Sequence, residues 1–195
     1  MTERPISDRL CEEIQSEFPD FAVRPKAGDA LSRAIDGALR VVTLGAQDRY
    51  LTEYFTVLGA TLYTPPGWDS MGDRERAVLL RHERVHLRQR RRLGRLGMAA
   101  VYLIPFLPLG LAYGRARLEW EAYEETLRAT AELLGPGAAR DPALRERIVG
   151  RFLGPDYGWM WPFRRQVERW FDAALGRIEA EGTAGRAEDL PKCRR

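Results

Sequence analysis

Apolar residues recur at helical spacing at Ile6, Leu10, Ile14 and Phe18, which predicts a short amphipathic helix over residues 5–18. A stretch containing proline and glycine, 19–29, follows, and then the period of the pattern changes. Residues 38–44, 50–57 and 60–64 are rich in β-branched and aromatic side chains, with Gly45, Gln47-Asp48 and Gly59 between them. This predicts three strands of a small antiparallel sheet. Pro65-Pro66-Gly67 ends the sheet, and a helical pattern resumes over about 72–93. Asp69, Ser70 and Asp73 are candidate caps for that helix, and Gly94 is its expected terminator. Further helices are expected over about 113–134, 142–152 and 162–181, the first of them closed by Gly135-Pro136-Gly137. The fold class is therefore α+β, with no internal repeat.

Between the first two long helices lies the chain's most unusual segment, Leu96 to Tyr113, which carries no charge. Its length touches the lower limit for a membrane span. Gly97, Pro105, Pro108 and Gly110 would break a simple helix, however, so a full crossing is the weakest reading. A buried connection under the neighbouring helices explains the composition most simply. Arg92, Arg95, Arg115 and Arg117 bracket the segment, so residues 96–113 also suit peripheral membrane contact, with arginines meeting anionic headgroups.

A chain of 195 residues can bury one proper core, and a single domain over 1–181 is expected. From Gly182 onward the apolar content is too low to offset ordering entropy, so 182–195 reads as a flexible tail. The formal charge is +3, and of 31 basic residues only Lys26 and Lys192 are lysine. The densest cluster, Arg88 to Arg95, is not interleaved with aromatics and matches no nucleic-acid module, so no nucleic-acid partner is expected. Cys11 and Cys193 have no partner spacing and suggest neither a disulfide framework nor a zinc knuckle. The N-terminus lacks an apolar stretch of signal-peptide length, which makes a cytoplasmic address the expectation.

The chemistry concentrates in His82-Glu83-Arg84-Val85-His86, which contains both of the chain's histidines. Four residues apart on a helix, two imidazoles lie on one face and can share a metal ion. Glu83 points to the side of that pair, where it can reach a water on the metal without ligating the metal itself. Gln89, one turn beyond His86, is placed to hydrogen-bond the imidazole from behind. A catalytic zinc site needs a third protein ligand and an open position. With no histidine left, a carboxylate or a cysteine near a terminus must supply it. The run Leu118 to Glu125 offers Glu119, sharing a face with Tyr123, and Glu121, sharing another with Glu125.

His82-Glu83-x-x-His86 followed by Glu119-x-x-Ala122-Tyr123 resembles the gluzincin metallopeptidases. The nearest pattern is that of the CAAX prenyl endopeptidases and HtpX-like membrane peptidases, with H-E-x-x-H and a later E-x-x-A-D. The resemblance covers about 45 residues, Arg81 to Glu125. It implies a zincin-like fold, zinc as cofactor, a peptide or protein substrate, and Glu119 as third ligand. Tyr123 stands where those families have a supporting aspartate. The implied activity is peptide-bond hydrolysis, with zinc activating a water and Glu83 as general base and then acid. Tyr157 and Tyr123 are candidate donors to the tetrahedral oxyanion. In zincins extended substrate adds to an edge strand, which would be residues 60–64 or their neighbour. Two other readings compete: a zinc-binding module without turnover, and a peripheral membrane interaction protein built on 96–113. A purely structural zinc site has no need of Glu83, and incidental histidines would not fall in this register with it.

Overall fold

The computed structural model describes residues 4–25, 56–103, 110–154 and 160–188. The chain is mostly helical with a small sheet, a coarse α+β arrangement. It divides into two compact units, Met1–Arg92 and Leu93–Arg195.

The first unit opens with α1 (Ile6–Glu17), which buries Ser7, Leu10 and Ile14. Three short strands follow: β1 (Ala22–Pro25), β2 (Thr56–Leu58) and β3 (Thr61–Thr64). β2 and β3 form the expected antiparallel pair, with Val57 opposite Leu62. They turn through Gly59, whose φ of 70° is a left-handed conformation that favours glycine. The sheet as a whole is mixed, because β1 runs parallel to β3 in the register Ala22↔Thr61 to Pro25↔Thr64. β1 lies in the stretch read from sequence as a connection, its strand character masked by four-residue length and a terminal proline. Its pairing puts β3 in the centre of the order β1-β3-β2. Residues 60–64 therefore do not supply a free docking edge. The strand expected at 38–44, and most of that at 50–57, lie outside the described residues.

A 3-10 turn (Pro66–Trp68) leads into α2 (Asp73–Leu103), the motif helix. Its N-terminus is closed by Glu75, whose carboxylate accepts the Gly72 N–H at 3.1 Å, and Arg76 N–H donates to the Gly72 carbonyl. None of the expected caps has that role. Asp73 instead serves α1. Its carboxylate accepts the backbone N–H of Ile6 (2.7 Å) and Ser7 (2.9 Å), together with the Ser7 hydroxyl (2.6 Å). These are orphan donors of the first turn of α1, whose own Pro5 offers no side-chain cap. The same hydrogen bonds, led by the Ser7 hydroxyl, hold the Asp73 carboxyl below the usual carboxylate range. At Gly94 the backbone leaves helical geometry (φ 71°, ψ 173°), as the sequence predicts. Helix then resumes to Leu103, where an apolar connection is expected. A wholly buried connection is ruled out at Leu96, which is 87% exposed. Among the described residues no helix is long and apolar enough to cross a membrane.

The second unit contains α3 (Gly110–Leu133), the short α4 (Pro136–Ala139), α5 (Pro142–Leu153) and α6 (Arg164–Glu188). Asp141 caps α5 by accepting the Ala143 N–H at 2.9 Å. Trp120 and Leu127 of α3 meet Ile148, Val149 and Phe152 of α5 and Val167, Phe171 and Ala174 of α6 in one apolar cluster. Met160 and Trp161 close it, whereas Phe163 just beyond them is exposed. α6 stays helical to Glu188, past the expected start of a flexible tail at Gly182. Its partners Arg128–Glu181 and Arg140–Glu179 tie its middle to α3 and to the end of α4.

Candidate metal centre

Residues 82, 86 and 89 of α2 form one stripe, and residues 84, 88 and 91 form another. At about 100° per residue the two-position offset is about 200°, so the stripes face opposite ways. Each stripe has found a distinct job. Arg84, Arg88 and Arg91 converge on Glu17, the last residue of α1, at 2.8, 2.8 and 3.1 Å. The hydrogen bond from Arg88, followed by that from Arg84, lowers the Glu17 carboxyl to about 2 from an ordinary 4.5. Asp73 at one end of α1 and Glu17 at the other thus fix α2 against α1.

This linkage has a pH signature. A carboxyl lowered in the folded state contributes stability that is complete above its unfolded value and fades as pH falls through the folded one. The Glu17 contribution should therefore be complete above about 4.5 and be lost toward about 2. Glu17→Gln is expected to cost roughly 1–2 kcal/mol at neutral pH, given three partly exposed partners. Denaturant titrations across pH 2–6 should show the two proteins converging at the acid end; a constant gap would refute the linkage.

The opposite stripe holds the histidines. His82 and His86 bring their Nε2 atoms to 3.2 Å, with ring centroids 4.9 Å apart and an interplanar angle of 75°. Two ligands at about 2.05 Å from a tetrahedral zinc are separated by about 3.3 Å, so the spacing fits one ion. Behind His86, Nδ1 lies 2.9 Å from Oε1 of Gln89, a side chain buried to 2% exposure. With the amide oxygen facing the ring, Nδ1–H donates and the Nε2 lone pair is left toward His82. This is the part expected of Gln89 from sequence. Two such lone pairs at 3.2 Å repel unless a cation or a proton lies between them.

Glu83 is buried beside the pair at 7% exposure. Glu119, on α3, is buried at 3% on a helix whose Ala116, Leu118, Trp120 and Ala122 are also buried. Burying a carboxylate among apolar side chains is costly without a cation or donors. Within the second unit Glu119 is enclosed, whereas Glu121, the competing candidate, is part-exposed. Of the other residues expected at the site, Tyr123 packs its ring on Phe152 (centroids 5.6 Å apart) beside the core of the second unit. Tyr157 lies outside the described residues.

Sequence reasoning missed the Glu17 anchor, because no local signal in α1 tells which carboxylate will meet arginines some 70 positions away.

Comparison with known proteins gives no second line of inference: no protein-family model, curated protein or solved structure matches the chain.

Proposed function

We propose that the chain is a zinc-dependent metallopeptidase of zincin type, with His82, His86 and Glu119 as metal ligands and Glu83 as general base. The observation that carries this reading is the paired Nε2 atoms at 3.2 Å, oriented from behind by Gln89 and flanked by buried Glu83. The donor set of two imidazoles and a carboxylate is that of a catalytic zinc site, which leaves a fourth position for water or substrate. A bound zinc would lower the pKa of a water toward about 7 and polarise the scissile carbonyl.

The chain's own groups do the rest. Gln89 holds His86 in the tautomer that presents Nε2, so no proton must leave before the ion is bound. Glu83, one position from His82, takes the proton of the attacking water on its carboxylate and returns it to the leaving amine nitrogen. Its burial holds the carboxylate beside the histidine pair, away from bulk water.

Elemental analysis of the purified protein tests the ligand set. About one zinc per chain is expected in the wild type and in Glu121→Ala, with most of it lost in Glu119→Ala. A wild type that takes up no zinc even from excess metal would leave the histidines as a simple inter-imidazole hydrogen bond and end the metallopeptidase reading.

A further inference from the structure

We infer that Arg90 is a specificity-determining residue of the proposed peptidase, one that binds a carboxylate of the peptide substrate. This rests on the metallopeptidase reading and names the substrate class of the same site. Arg90 sits one turn beyond His86 and two turns beyond Glu83, so residues 83, 86 and 90 run along one side of α2. Helical side chains lean toward the N-terminus, which carries the Arg90 stem over the turn that bears His86 and Glu83.

Among the described residues the guanidinium has a resting place but no charge partner. A Cβ added at Gly59 would lie 3.4 Å from Nη1 of Arg90 and 3.9 Å from Nη2, so the head group rests against the β2–β3 turn. The glycine that the left-handed turn requires is also what leaves room for it. Arg90 is half-buried, yet among the described residues it makes no hydrogen bond or ion pair. Its neighbours on the helix behave differently: Arg84, Arg88 and Arg91 all pair with Glu17. A half-buried guanidinium whose donors meet no acceptor among the described residues is matched by a carboxylate, which it can bind through two parallel hydrogen bonds. In a peptide that carboxylate is either the C-terminal group or an aspartate or glutamate side chain.

The test uses the zinc-loaded full chain and three internally quenched peptides of one sequence. One ends in a free carboxylate, one in an amide, and one in an amide with a single glutamate added. The wild type should cleave at least one carboxylate peptide about 10-fold more efficiently than the neutral one, and which of the two identifies the source of the carboxylate. Arg90→Ala should raise KM for that peptide by about 10-fold while leaving kcat, the neutral peptide and zinc content unchanged. Arg90→Lys should restore part of the loss, which a purely structural role would not predict. Equal cleavage of all three by the wild type, or a KM rise for all three alike in Arg90→Ala, would overturn the inference and leave the peptidase reading standing. A zinc-loaded wild type that cleaves none of them overturns the peptidase reading itself.

Discussion

Glu83→Gln should bind about one zinc per chain and hydrolyse peptides at least 10²–10⁴-fold more slowly than the wild type. Glutamine keeps the size and one oxygen of the side chain, so packing around the buried position survives. What it loses is the ability to accept and then release a proton at that atom. The expected split is a fall in kcat with KM little changed, because Glu83 acts on the attacking water and not on bound substrate. Single-turnover measurements on zinc-matched samples would read it. Equal turnover in the two proteins would remove Glu83 from the chemistry, and with it the main reason to prefer an enzyme over a zinc-binding module. Loss of zinc together with activity would mean instead that Glu83 is a ligand.

The second large effect concerns stability. Stripping zinc with a chelator should lower the Tm of the wild type by roughly 8 °C or more. An ion present at about 1,000 times its Kd contributes about 4 kcal/mol to the folded state, and each kcal/mol moves Tm by about 2–4 °C in a chain of this size. In the proposed site, removing the ion would leave the paired imidazoles needing a shared proton. His86→Ala should melt at a reduced temperature, with or without chelator. A wild-type Tm indifferent to chelator would show that no metal is linked to folding. Calorimetric scans at fixed protein concentration make the comparison.

The parts of this molecule legible in its sequence are those set by local rules. Helical periodicity located α1, α2, α3, α5 and α6, and a left-handed glycine marked the break at Gly94. The i, i+4 spacing put His82 and His86 on one face, and the helix geometry then placed Gln89 behind His86. Glu119 was separable from Glu121 through helix-face geometry and a resemblance together; in the fold Glu119 is enclosed and Glu121 part-exposed. What escaped was non-local. β1 is too short to announce itself and exists because β3 offers it an edge. Asp73 looks like the start of its own helix and spends its carboxylate on another. Leu96 reads as core by composition, yet it is exposed.

The loan of Asp73 to α1 has a consequence for the order in which the chain becomes ordered. An isolated helix of 12 residues is marginal in water, and α1 has no cap of its own. Its cap arrives 66 residues after Ser7, and the arginines that anchor its other end follow at 84, 88 and 91. Synthesis proceeds from the N-terminus, so α1 leaves the ribosome before the residues that secure it. Until then its apolar stripe of Leu10 and Ile14 is exposed on the growing chain, a natural site for a chaperone. In the finished protein the amides of α1 should exchange with solvent about as fast as those of the first turns of α2, because Asp73 and the arginines of α2 hold both ends of α1.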